Sequence, residues 1–207
     1  MQNFVYEYGT GLYFNLPNKC PCDCIFCVRA GAQGLGSARS LWLEEEPGAE
    51  QVIAQLEDKN LAGYTEVVFC GFGEPFCALE TMLEVCAYLK NQDGCPAVRI
   101  NTNGLGDLIN GRSTPPLLEG LVDVISISLN APGKERYAEL CRPAFGEDAF
   151  EAMLKFAREC KGFVPKVFFS VVDVLSPEEI AACKKIADGL NIPLRVRKFT
   201  GSAQAPG

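Results

Sequence analysis

Short apolar runs alternate along the chain with longer segments of helical periodicity. The runs Leu12–Leu16, Glu66–Gly71, Val98–Thr102, Val124–Leu129, Lys166–Asp173 and Leu194–Phe199 predict six strands. Between them, Leu79, Met82, Leu83 and Cys86 recur at helical spacing, as do Phe150, Met153, Leu154, Ala157 and Cys160. Both segments therefore predict helices that lay one apolar face on a sheet. Ser176-Pro177-Glu178-Glu179 sets a capping serine, a first-turn proline and a third-position glutamate before Ile180, a strong helix start. Pro47, preceded by Glu44 to Glu46, predicts a further helix running to about Asp58. Strands that alternate with helices make parallel βα units. Six of them predict an α/β fold, a single-domain, incomplete (βα)6 TIM-like barrel with a parallel sheet over residues 1–200. Residues 201–207 lack apolar anchors and are expected to fray.

The fourth run, Ile125-Ser126-Ile127-Ser128-Leu129-Asn130, alternates apolar and polar positions with period two. One face is set to pack on helices, and the other carries Ser126, Ser128 and Asn130. Barrel interiors are ordinarily filled by branched apolar side chains. A polar inner face costs stability unless it meets water, a ligand or other polar groups. A ligand is the simplest explanation; the competing one is an edge strand with its polar face in solvent.

Composition narrows the chemistry. The 207 residues are 48% apolar, enough for one substantial core. No stretch approaches the ~18 apolar residues of a membrane span, and the start has no basic segment followed by a long apolar run. A cytoplasmic protein is expected. Nineteen basic against 26 acidic residues give a net charge of −7, the wrong sign for general nucleic-acid affinity. Histidine is absent, which removes histidine-dependent triads, imidazole metal sites and the commonest general base. Eleven cysteines cannot all pair within the chain, so reduced thiols are expected. Cys86, Cys160 and Cys183 fall on apolar helix faces as small buried hydrophobes. Cys70, Cys77, Cys95 and Cys141 lie nearer strand ends and loops without compact spacing.

The remaining thiols do have compact spacing. Cys20-Pro-Cys-Asp-Cys24-Ile-Phe-Cys27 follows the first strand and presents Cys20, Cys24 and Cys27 as CxxxCxxC. Four-iron electron carriers close their shell with four cysteines, so three ligands leave one iron open to a reacting molecule. With Cys22 included, the loop also reads as a four-thiolate zinc site. Ligands one residue apart strain a tetrahedral shell, however, and the usual paired CxxC units are missing.

The cysteine loop, with Phe26 just before its last thiol, resembles the signature of the radical S-adenosylmethionine (SAM) enzymes. The resemblance implies a [4Fe-4S] cluster on Cys20, Cys24 and Cys27, whose open iron chelates the amino and carboxylate groups of SAM. Reductive cleavage of SAM would then give methionine and a 5′-deoxyadenosyl radical that takes a hydrogen atom from a substrate. It also implies a reducing electron donor such as flavodoxin or ferredoxin. Gly71-Phe-Gly73-Glu74-Pro75 resembles the family's GGEP-type motif, which meets the methionine amino group; its alternative is a plain strand-to-helix turn. Asn101-Thr-Asn103-Gly104 resembles the TNG segment that reaches SAM or substrate. The serine-rich strand with Ser126, Ser128 and Asn130 resembles the one near SAM's ribose and carboxylate. Arg142 either holds that carboxylate, as basic residues there do in some members, or is a solvated surface arginine.

Segments over nearly the whole chain, among them Asn15–Cys20, Leu41–Glu44, Asn103–Arg112 and Ser170–Val174, resemble the TatD-associated radical SAM group, implying a functional link to a TatD-type nuclease. The substrate is not implied. Activation of a glycyl-radical enzyme, modification of a heterocycle or nucleoside, and a noncatalytic iron-sulfur or zinc protein are the alternatives. A single cluster is expected, since no cysteine-rich extension follows the last strand. Asp173 could accept a ribose or substrate hydroxyl or simply start a loop. Arg195 and Arg197 share one face of the last strand, where they could bind an anionic substrate group.

Overall fold

A computed structural model describes residues 2–199. It contains one seven-stranded sheet in sequential order: β1 (Val5–Tyr8), β2 (Gly11–Phe14), β3 (Glu66–Phe69), β4 (Ala97–Thr102), β5 (Val124–Ser128), β6 (Lys166–Val172) and β7 (Leu194–Arg197). β1 and β2 are antiparallel, and every later pairing is parallel. β1 and β7 do not pair, so the barrel stays open. The helices are α1 (Ala49–Ala54), α2 (Leu79–Lys90), α3 (Gly106–Asn110), α4 (Lys134–Cys141), α5 (Asp148–Cys160) and α6 (Pro177–Gly189).

All six expected strands are present as β2 to β7, and the fold is the expected α/β incomplete barrel in a single domain. Most strands end one to two residues early at their C-terminal ends because loop geometry takes over. Asn130 turns to positive φ, and the Asp173 carboxylate, rather than a ladder carbonyl, accepts from Phe199 N. β1 was not foreseen. Its signal was there: Tyr6 and Tyr8 alternate ahead of a two-residue turn, in which Gly9 takes φ 60°. The helix expected to reach Asp58 stops at Ala54. After it, Leu56 N bonds Ile53 O, a tight turn, and the Gln55 amide reaches away to Val5 N and Gln2 O. Cys141, expected near a loop, is instead the buried last residue of α4. The expected frayed tail lies outside the described residues.

The two faces of the sheet differ. Leu12, Val67, Phe69, Ile100, Ile125 and Phe169 belong to one core with the apolar faces of α2 and α5. The other face is polar, and its register reads across the strands: Asn101 beside Ser126, Ser128 beside Ser170, and Ser170 beside Arg195. β5 is an interior strand rather than an edge, and on it Ser126 is buried and Ser128 half-buried.

Candidate active site

The chain leaves β2 through Asn15, whose fully buried side chain donates to Leu41 O (2.8 Å) and accepts from Phe72 N (3.2 Å). Three residues later, the Asn18 amide brackets Leu43, donating to its carbonyl and accepting from its N–H. These clamps fix the entry to the cysteine loop. Its middle lies along the end of α4: Asp23 N bonds Cys141 O (3.1 Å), Ile25 N bonds Leu140 O (3.0 Å) and Ala144 N bonds Pro21 O (2.7 Å). The Arg29 guanidinium closes the loop from the other side by donating to Asn18 O (3.3 Å).

Cys20, Cys24 and Cys27 are half-buried, while Cys22 is only 5% exposed and its backbone pairs with Pro143. All three half-buried thiols are pushed above the ordinary cysteine range. Contact with Cys22 is the main cause for Cys20, contact with Cys141 for Cys24, and burial for Cys27. Ligation deprotonates a thiol outright, so loading metal here would release protons. In a four-iron cluster each cysteine thiolate takes its own iron, and Cys20, Cys24 and Cys27 offer three such ligands from this loop.

The Gly71–Pro75 turn packs directly on this loop. A Cβ at Gly71 would lie 2.0 Å from Asn15 Oδ1, and one at Gly73 would lie 2.3 Å from Pro17 O. Both positions need glycine for close chain approach, whatever else binds there. Glu74 N donates to Lys19 O (2.8 Å), just before the first cysteine. The Glu74 carboxylate is 3% exposed and faces inward, accepting from Thr102 Oγ1 (2.7 Å) and Asn103 N (2.7 Å). Glu74 thus ties the turn after β3 to the turn after β4. Pro75 opens the short 3-10 turn that follows. Asn103, held through Oδ1 by Leu105 N, carries its Nδ2 to 3.8 Å from Cys22 Sγ and 4.0 Å from Cys20 Sγ.

Burial raises the Glu74 pKa from 4.5 to about 7, against the lowering effect of its three hydrogen-bond donors. The folded state therefore holds this proton more tightly than the unfolded chain. The stability it contributes is full below pH 4.5 and is lost as pH rises to about 7. Glu74→Gln removes the titration, so thermal melts should show wild type losing ground to the variant across that interval. A constant gap between the two melting curves would refute this assignment.

On β5, Ser126 is buried and Ser128 half-buried, and just past its end Asn130 is buried at φ 55° with no partner for Oδ1. Asn101 Oδ1 on β4 is likewise unpartnered. Unsatisfied buried oxygens of this kind call for a ligand or water. Arg142 stands apart at the left-handed C-cap of α4, with its side chain 59% exposed and 3.8 Å from Asp23. Phe26 packs into the main core.

The sequence model of the Radical SAM superfamily matches residues 14–187. The chain belongs to the radical SAM superfamily. Among curated relatives, the probable dual-specificity RNA methyltransferase RlmN of Koribacter versatilis (strain Ellin345) is 30% identical over 151 residues, 68% of this chain and 39% of that protein. The ribosomal RNA large subunit methyltransferase N of Nitrosopumilus maritimus (strain SCM1) is 29% identical over 146 residues, again 68% and 39%. The chain thus spans 39% of the length of these relatives. Among solved structures, Streptococcus suis SuiB bound to precursor peptide SuiA matches with a TM-score of 0.67 at 17% identity, covering 98% of this chain and 43% of that one. A radical SAM methyltransferase from Sphaerobacter thermophilus matches with a TM-score of 0.52 at 17% identity, covering 97% and 71%. These structures share the fold.

A radical SAM domain implies a [4Fe-4S] cluster and SAM, and the donor set on this loop suits them. The structure gathers the cysteine loop, Gly71 to Pro75 and Asn103 at the C-terminal ends of β2, β3 and β4, with Ser126 and Ser128 on β5 and Asn130 in the turn just beyond it. It leaves Arg142 and Phe26 outside that group. The sequence reading missed Asn15, Asn18 and Thr102 as supports. Asn15 carried a signal, being a polar residue inside the apolar run Leu12–Leu16.

Proposed function

We propose that this chain is a radical SAM enzyme whose cluster is held by Cys20, Cys24 and Cys27, with SAM lying between Gly71–Pro75, Asn101, Asn103 and the polar face of β5. When bound, cluster and SAM supply reductive cleavage of the sulfonium to methionine and a 5′-deoxyadenosyl radical able to take a hydrogen atom from substrate. The chain's own residues orient and shield. Asn15, Asn18 and Arg29 hold the cysteine loop, Glu74 joins the two flanking turns, and Asn103 directs an N–H toward the thiols. Ser126, Ser128 and Asn130 offer polar groups to the ribose and carboxylate, and Arg142 remains a candidate for that carboxylate from outside. The observation that carries this reading is a three-thiol loop, anchored at the strand ends beside an inner face with unpartnered oxygens.

Within the superfamily, the segments Asn15–Cys20, Leu41–Glu44, Asn103–Arg112 and Ser170–Val174 support placement in the TatD-associated group. We take residues 1–200 as the core domain, working in the cytoplasm with a flavodoxin- or ferredoxin-type donor and a functional link to a TatD-type nuclease. Among the described residues, no helix is long and apolar enough to cross a membrane. The similarity to RlmN proteins favours a second reading, methyl transfer to RNA. The net charge of −7 argues against it.

The test is anaerobic reconstitution with iron and sulfide, followed by product analysis after adding SAM and dithionite. Formation of 5′-deoxyadenosine is the expected result. A fully loaded four-iron cluster that leaves SAM intact would turn the reading to electron transfer. S-adenosylhomocysteine, formed when RNA is added, would favour methyl transfer.

A further inference from the structure

Strand β7 ends the sheet, and its outer side is bare. It pairs with β6 alone, since β1 does not reach it. Phe169 N donates to Pro193 O (2.8 Å) and Asp173 N to Arg197 O (3.0 Å), so the odd-numbered positions turn their backbone groups toward β6. Along a strand those groups alternate sides, and Leu194 and Val196 therefore turn their N–H and C=O away from the sheet. Arg195, Val196 and Arg197 are all exposed, Val196 by 47%. A row of unpaired amides in the open is a template for another extended chain.

The side chains select which chain fits. Arg195 and Arg197 share one face of β7, as the sequence predicts, and Leu194 and Val196 share the other. Lys198 follows them, and Lys166 stands with Arg195 around an open pocket of about 510 Å³ walled by Pro165, Phe168 and Pro193 at the N-terminal end of the strand. Among the described residues, none of Lys166, Arg195, Arg197 and Lys198 forms an ion pair. In a chain with 26 acidic and 19 basic residues, this edge reverses the sign. Opposite charges and β-branched pairs stabilise neighbouring strands, and like charges set directly opposite destabilise them. A second copy of β7, paired through the same outward amides, would put arginine against arginine. A nucleic acid would meet the cations but leave the amides and Val196 unused.

We propose that β7 receives an extended acidic peptide as an eighth strand, one in which acidic residues alternate with apolar ones. Its backbone pairs with the outward groups of Leu194 and Val196, and its carboxylates lie beside Arg195 and Arg197. Its apolar residues cover Val196, and an aromatic residue at one end enters the pocket beside Phe168. No cluster or SAM ligand of the proposed site lies on β7, so this docking is independent of the radical chemistry.

The test follows the fluorescence anisotropy of a dye-labelled peptide of alternating glutamate and valine, with phenylalanine at each end, added to the reconstituted protein at low salt. A peptide with lysine in place of glutamate is the control. Wild type should bind the glutamate peptide and leave the lysine peptide free. Val196→Pro removes an outward N–H and sets a ring against the incoming chain, a change that edge strands tolerate. It should weaken binding by at least about tenfold, with the fold intact by circular dichroism. Arg195→Glu combined with Arg197→Glu should weaken it further by reversing the charge. Failure of wild type to bind the glutamate peptide, equal binding of both peptides, or full binding by the double glutamate variant would overturn the proposal. Equal binding by wild type and a folded Val196→Pro would mean that charge acts without strand pairing, and would overturn it too. So would a dimer in sedimentation that Val196→Pro dissolves, which gives the edge to a second copy, or a single-stranded RNA that displaces the peptide and binds wild type and Val196→Pro alike.

Discussion

Alanine at Cys20, Cys24 or Cys27 is expected to abolish 5′-deoxyadenosine formation, whereas alanine at Cys22 should leave it within a few-fold of wild type. In the cluster each of the three thiolates holds its own iron, so none can substitute for another. Losing a partner that merely supports a metal ligand costs about 10–100-fold, so loss of the ligand itself should exceed about a hundredfold. Cys22 has a different setting: it is buried, its backbone is bridged to Pro143, and its removal deletes one small packed sulfur. That deletion costs on the order of 1 kcal/mol. Iron and sulfide content, the visible absorbance of the cluster and 5′-deoxyadenosine would be measured together for the four variants. Iron lost from Cys22→Ala but kept by Cys20→Ala would move the ligand set and return the loop to a four-thiolate reading.

These four cysteines also mark how far the sequence could lead. The spacing of Cys20, Cys24 and Cys27 is a local property, as are the β5 alternation and the Ser176 cap, which forms with Glu179 as expected. Local signals survive folding because the residues that make them are neighbours in the chain. Glu74 shows the limit. Its place in a GEP turn suggests a group turned toward a ligand, yet burial and two donors from the β4 end turn it into an internal tie. Those donors, Thr102 and Asn103, are 28 and 29 residues away, and no spacing rule reports them. The length of α1 was illegible for the same reason: Gln55 is claimed by β1, some fifty residues upstream.

Such long-range ties make one glycine decisive. Gly73→Ala is expected to destabilise the protein by roughly 1–3 kcal/mol, the usual cost of overpacking, and to lower 5′-deoxyadenosine formation by more than about tenfold. Its added Cβ would fall 2.3 Å from Pro17 O and 2.7 Å from Lys19 O. Both are backbone atoms, so no side-chain rotation relieves the clash. The segment that must move carries the Glu74 N to Lys19 O bond and leads directly into Cys20. A displacement of only about 1 Å at a reacting centre can cost a hundredfold in rate, so the effect on activity should outlast restoration of stability by a lower assay temperature. Gly63→Ala is the matched control. Nothing lies within 4 Å of its Cβ position, and its φ is not positive, so the change should stay within about 0.5 kcal/mol. Urea unfolding of both variants, with cluster content and SAM cleavage measured on the same preparations, separates the two effects. If Gly73→Ala matched Gly63→Ala in all three, the turn after β3 would not be what holds the cysteine loop in place.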